Sequence, residues 1–187
     1  MNKVLAEIKV TEAPANEDSR SAWRDRINSW KAEQPYDRAS AGDVIRPQHL
    51  MSEIDRLSGG NAIVCSDVGQ HQMWSAQLIR FNEPRLWVNS GGLGSMGFGL
   101  PSALGAQFAR PDKLVFAIMG DGGFQMSIPE LATIASYGLP VKMIVMNNGY
   151  LGMVRQWQEL FYNTRLNAVT LDCFPEAEML AGAYGIK

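Results

Sequence analysis

Apolar and polar positions along the chain fall into two regimes that change near residue 41. Beyond it, helical and extended patterns alternate. Pro47 opens a helix with Leu50, Ile54 and Leu57 on one face, and Gly59-Gly60 closes it. AIVCS (62–66) reads as a short strand, and a DVGQ turn leads into a helix running through Ala76 to Arg80. RLWVN (85–89) is a second extended piece, GGLGSMGFG precedes a helix over 100–109, and LVFAIMG (114–120) is a near-continuous apolar run. Such a run suits a parallel strand covered on both faces. SIPE (127–130) fits a capping box, with Ser127 as N-cap and Glu130 three residues on, ahead of a helix in ELATIASYG. VKMIVM (141–146) predicts another buried strand and YLGMVRQWQELFY (150–162) another helix. Residues 1–40 read as a linker and helical arm. TEAPANEDS is polar and turn-rich; then Ala22, Trp23, Ile27 and Trp30 fall at helical spacing until Pro35 ends the pattern. A stripe with two tryptophans predicts a helix packed on a larger body, without chemistry of its own.

The alternation over residues 41–187 predicts an α/β fold of three layers, a parallel sheet with helices on both faces. Ligands bind such sheets beyond the C-terminal ends of the strands. Three candidate loops stand there: Asp67–Gln70, Gly120–Gly123 and Asn147–Gly149. In Gly120-Asp121-Gly122-Gly123 a carboxylate follows a buried strand, and the glycines let backbone N–H groups approach an anion closely. The same tetrapeptide equally suits a plain tight turn. Asn147-Asn148 ends the next strand some two dozen residues further on, so one strand–helix–strand unit brings Asp121 and Asn148 side by side. A carboxylate and an amide oxygen are hard ligands that suit Mg²⁺, which also takes diphosphate oxygens.

Composition narrows the function classes. The chain has 187 residues, 46% hydrophobic and 19% charged, which is enough for a core and excludes wholesale disorder. Seventeen basic against 19 acidic residues leave a net charge of −2, no footprint for a nucleic acid or an anionic membrane. Cys65 and Cys173 sit in no CxxC or Cys/His cluster, which argues against a disulfide scaffold or structural zinc and for a reducing compartment. The N-terminus lacks the apolar core of a signal peptide, and runs such as Leu114–Met119 are far too short to span a bilayer. A soluble, cytoplasmic protein is expected.

Gly-Asp-Gly, two dozen residues and Asn-Asn form the pattern of thiamine diphosphate enzymes. With it, VGQHQMW (68–74), GGLGSMGFGLP (91–101), GDGGFQMSIPELATI (120–134) and MNNGYLGMVRQWQELFY (146–162) closely resemble the acetohydroxyacid (acetolactate) synthase catalytic large subunit, in its C-terminal thiamine diphosphate-binding domain. The first pattern is shared by the whole cofactor superfamily; GQHQMW and GMVRQWQ are far more specific to this branch. The resemblance implies Mg²⁺ ligands at Asp121, the Asn148 side chain and the Tyr150 carbonyl. It implies diphosphate contacts at Gly69, Gln70 and His71, helped by the N–H groups of Gly122 and Gly123. Gly94 and Met96 match the loop that holds the aminopyrimidine, Met96 being the wedge that bends the cofactor. Met153, Val154 and Trp157 match the substrate channel and the second-ketoacid pocket, although their helical spacing also fits a core-facing stripe. The implied reaction decarboxylates pyruvate and condenses the two-carbon unit with a second 2-ketoacid, in branched-chain amino-acid biosynthesis.

The same resemblance implies pyrimidine-binding and FAD-binding domains ahead of this region. The family's activating glutamate lies in the first of these and comes from a partner subunit, so no catalytic residue is expected in this chain. FAD is expected only in the full-length enzyme. Residues 41–187 thus read as a diphosphate-binding domain cut short at its C-terminal end, inactive alone, forming a homo-oligomer and open to a regulatory subunit. Other readings stay open at this point. They are a pyruvate oxidase or other carboligase, a non-catalytic Mg-diphosphate module, and an unrelated mononucleotide domain built around GDGG.

Overall fold

A computed structural model describes residues 17–33 and 44–186. The linker up to residue 16, the Pro35 stop and the boundary near residue 41 lie outside them. The chain divides into two units, residues 1–37 and 38–187. In the first, helix α1 (Glu17–Glu33) sets Trp23 and Trp30 two turns apart on one face, edge to face with ring centroids 5.8 Å apart. The Arg26 guanidinium lies 5.0 Å from the centre of the Trp30 ring.

The second unit runs α2 (Pro47–Ser58), β1 (Ile63–Ser66), α3 (Gln70–Leu78), β2 (Trp87–Asn89), α4 (Gly99–Ala109) and β3 (Val115–Gly120). It continues with α5 (Asp121–Ser127), a 3-10 turn over Ile128–Glu130, α6 (Leu131–Tyr137), β4 (Lys142–Met146), α7 (Gly152–Phe161) and α8 (Ala177–Ala183). The strands form one parallel sheet in the order β2-β1-β3-β4. Side chains alternate across it, as the pleat requires. Ile63, Cys65, Val115, Ala117 and Met119 pack on one face against Leu100, Leu104, Phe124 and Leu131 of α4, α5 and α6. Val64, Phe116 and Ile118 pack on the other against Met51, Ile54 and Leu78 of α2 and α3. The three layers expected from the alternation are present. Among the described residues, no helix is long and apolar enough to cross a membrane.

Local expectations fare unevenly. β3 is buried on both faces, as its apolar run predicts. VKMIVM is not: β4 is half-buried because, among the described residues, it pairs only with β3 and forms the sheet edge. Gly120–Gly123 is not a loop, because β3 passes into α5 at Asp121 without one. The capping box at Ser127 does not form either. The chain is already helical there, so the Ser127 hydroxyl donates back to the Gly123 carbonyl at 3.1 Å instead of accepting a downstream N–H. Helix α8 has no counterpart in the sequence-based reading.

Candidate functional site

β1 and β3 are neighbours in the sheet, yet the helices that follow them leave to opposite faces: α3 joins α2, and α5 joins α4 and α6. Where connections diverge this way, a crevice opens beyond the carboxyl ends of the two strands. A cavity of about 210 Å³ occupies it. Its wall takes Gly69, Gln70 and His71 from the β1–α3 junction, Gly94 and Met96 from the loop before α4, and Asp121, Gly122 and Gly123 from the start of α5. Asn148, Tyr150, Met153 and Val154 come from the β4–α7 junction. Residues spread over 86 positions of sequence meet here because four segments end at the same rim.

Asp121, 2% exposed, is the hub. Its Oδ1 accepts the Gly122 N–H at 2.8 Å, and its Oδ2 accepts the N–H groups of Asn148 at 3.2 Å and Gly149 at 2.8 Å. The side-by-side placement expected of Asp121 and Asn148 is therefore realised through a hydrogen bond. The Asn148 side-chain oxygen in turn accepts the Tyr150 N–H at 2.9 Å. The Asp121 Oδ1 and the Asn148 side-chain oxygen each retain a lone pair, since a carboxylate offers about four acceptor sites, two per oxygen, and an amide oxygen two. Among the described residues, no group of three or more His, Cys, Asp or Glu could hold a metal ion. Any cation here would rest on mixed carboxylate, amide and carbonyl oxygens, a set suited to Mg²⁺ rather than to zinc.

His71 lines the cavity beside Gly120, where a Cβ would lie 3.2 Å from its ring. Gly69, at φ 154°, lets the chain double back so tightly that a Cβ there would sit 2.7 Å from the His71 ring. Burial pushes the imidazole below its ordinary value of 6.5, against the pull of the Asp67 charge, a hydrogen bond to the Asp67 backbone and the Asp121 charge. The ring is therefore neutral at pH 7. Among the described residues its Nε2 is buried with no hydrogen-bond partner, and it lines the cavity, so it is available to a group bound there. The Gln70 Nε2 donates to the Gln156 Oε1 at 2.8 Å, tying α3 to α7, and the Gln70 Oε1 leaves no room for a side chain at Gly152. Met96 reaches over Gly122: its Cε would be 3.4 Å from a Cβ placed there.

One expected residue stands apart. Trp157 does not line the cavity; it is 57% exposed on α7 and meets Phe161 edge to face at 5.9 Å. No residue of α7 is fully buried, so the core-stripe reading of Met153, Val154 and Trp157 does not describe this helix. Two contributors were given no role by the sequence reading, although Asp67 opens one of its candidate loops. Gln156 gave no signal beyond its helix. Asp67 did: it follows β1 as Asp121 follows β3, and it is wholly buried beside the site.

Comparison with known proteins identifies the family. Residues 67–187 match the family described as "Thiamine pyrophosphate enzyme, C-terminal TPP binding domain". The chain is 48% identical over 166 residues to the acetolactate synthase large subunit of Haemophilus influenzae, covering 88% of this chain and 29% of that protein. It is 51% identical over 173 residues to a chloroplastic acetolactate synthase of Nicotiana tabacum, covering 89% and 26%. Among solved structures, a thiamine diphosphate-dependent 4-hydroxybenzoylformate decarboxylase of Rhodococcus jostii superposes with a TM-score of 0.71 at 26% identity, over 79% of this chain and 28% of that one. The chain thus spans under a third of the length of these relatives. It belongs to the thiamine pyrophosphate enzymes, and residues 67–187 carry that family's C-terminal TPP binding domain.

Proposed function

We propose that this chain grips the diphosphate end of thiamine diphosphate through Mg²⁺, as part of an acetolactate synthase acting on pyruvate and a second 2-ketoacid in branched-chain amino-acid biosynthesis. The observation that carries the reading is the meeting of Asp121 and Asn148, from consecutive strand ends, in one crevice with the unpaired Nε2 of His71. The identity to acetolactate synthases supports the choice of branch.

The residues present fit the group. Asp121, the Asn148 side chain and the Tyr150 carbonyl would hold the cation, and Gln70 and His71 would face the diphosphate oxygens. Gly94 and Met96 stand where the thiamine end would lie, and Met153 and Val154 where a ketoacid would approach. When bound, thiamine diphosphate supplies the electron sink for decarboxylation of a 2-ketoacid. The chain's own part is binding and orientation. Among the described residues Asp121 is the one carboxylate of the cavity wall, and its oxygens are engaged by three N–H groups, so the described wall offers no further acid to move a proton on the pyrimidine. That proton-handling group comes from elsewhere in the assembly, along with FAD where the full enzyme carries it. Self-association and a regulatory subunit go with this reading. So does a cytoplasmic setting, supported by the unpaired Cys65 and Cys173.

Calorimetric titration of the 187-residue chain with thiamine diphosphate tests the proposal. Binding that requires Mg²⁺ is expected. Binding indifferent to Mg²⁺, or a preference for a nucleotide over thiamine diphosphate, would overturn it.

A further inference from the structure

A second buried carboxylate lies behind the cavity. Asp67 is fully buried at the end of β1. Its Oδ1 accepts the N–H groups of Val68 at 2.6 Å and Gly97 at 3.0 Å, and its Oδ2 accepts the N–H of Gly99 at 3.2 Å. A carboxylate is an acceptor only, so it alone among short side chains meets three converging donors without presenting a proton of its own. Two glycines make room for it. A Cβ at Gly123 would lie 2.8 Å from the carboxylate, and one at Gly99 would lie 2.8 Å from the Asp67 backbone nitrogen. Neither glycine has a positive φ, so close approach to Asp67 is what each supplies.

The donors show what is being held. Gly97 directly follows Met96, and on the other side of Met96 the Ser95 N–H is held by the Ser90 Oγ at 3.0 Å. Met96 is 36% exposed and reaches over Gly122 at the cavity, between these two backbone anchors. We infer that Asp67 is a positioning residue, which with Ser90 clamps the loop carrying Met96 and so fixes the wall of the cavity facing the thiamine end of the cofactor. The inference rests on the function proposed above. It assigns Asp67 no contact with the cofactor.

The test uses the 187-residue chain with Asp67→Ala, Asp67→Asn and Ser90→Ala. Two readouts are taken: amide hydrogen exchange without ligand, and calorimetric affinity for thiamine diphosphate and for inorganic pyrophosphate, both with Mg²⁺. Asp67→Ala is expected to lose protection at Gly97 and Gly99 while the β1–β3 amides keep theirs. Loss of two hydrogen bonds to a charged acceptor should weaken thiamine diphosphate binding about tenfold, with pyrophosphate affinity changed less than about twofold. Asp67→Asn, which keeps one acceptor oxygen, should fall between wild type and Asp67→Ala. Ser90→Ala acts at the partly buried far end of the loop and should give the same selective loss, so it decides the matter if the Asp67 variants fail to fold. Equal loss for both ligands, with faster exchange throughout the sheet, would overturn the inference in favour of a merely structural carboxylate; so would unchanged thiamine diphosphate affinity in Ser90→Ala. A wild-type chain that binds neither ligand would instead sink the proposed function, while the exchange pattern at Gly97 and Gly99 would still report on the clamp.

Discussion

Asp121 accepts the backbone N–H of Gly149 at 2.8 Å, joining the first residue of α5 to the turn that follows β4, 28 positions later. This bond, together with the one from Asn148, makes the GDGG and NN segments a single unit in which the same carboxylate that faces the cavity also holds the neighbouring turn in place.

Asp121→Ala should therefore fail twice. Thiamine diphosphate binding that depends on Mg²⁺ should be abolished, because too few oxygens remain to replace the ion's hydration shell. Stability should also fall by about 1–3 kcal/mol, since the variant leaves the N–H groups of Gly122 and Asn148 without their acceptor and leaves Gly149 only the longer bond to the Asn147 Oδ1. Calorimetry and urea unfolding measure the two effects separately. Unchanged affinity would remove Asp121 from the cation site.

Cys65 gives a pH dependence with a definite sign. Desolvation in the sheet raises its thiol from an ordinary 9.0 to about 11, only partly offset by a hydrogen bond with Ser102. The folded value is the higher one, so the stability this thiol contributes is fully present below pH 9 and is lost as pH rises toward 11. In that window the unfolded chain releases a proton that the folded chain keeps, a slope of about −1.4 kcal/mol per pH unit. Comparing alkaline unfolding of wild type with Cys65→Ala isolates it: the variant's curve should be flatter. In the native chain an alkylating reagent should label the exposed Cys173 and spare Cys65.

The chain should self-associate. Val154, Trp157, Leu160 and Phe161 of α7 are all exposed, and Met96 adds to the apolar surface near the cavity. Contiguous apolar surface of this kind favours association. Light scattering over a tenfold concentration range should report dimers or larger species, and Trp157→Glu should shift them toward monomer.

No acetolactate should form from pyruvate when the 187-residue chain is assayed alone with thiamine diphosphate and Mg²⁺. Among the described residues, the cavity wall offers Asp121 as its one carboxylate, already engaged by backbone donors. Missing general acid–base help of this sort is worth roughly 10²–10⁴-fold, before the loss of positioning at the cofactor's other end. Product formation at an intact enzyme's rate would contradict the split-site reading.

Much of this was legible in the chain itself. The apolar run of β3 announced a central parallel strand, and the alternation of helix and strand announced three layers, because both follow from periodicities that any local window carries. Asp121 and Asn148 could be placed at adjacent strand ends, since one crossover unit has a narrow range of lengths. Tertiary structure decided the rest. The apolar content of β4 says nothing of whether a second strand lies beside it, and the structure leaves it at the edge. Ser127 carries a capping signal that a helix arriving from upstream overrides. Met153, Val154 and Trp157 share one helical pattern, yet only packing against the sheet decides that the first two reach the cavity and the third faces outward. Asp67 had the same local signal as Asp121, a carboxylate at a buried strand's end. Its partners Gly97, Gly99 and Gly123 lie 30 or more residues away, and folding alone brings those N–H groups and that open space to one carboxylate.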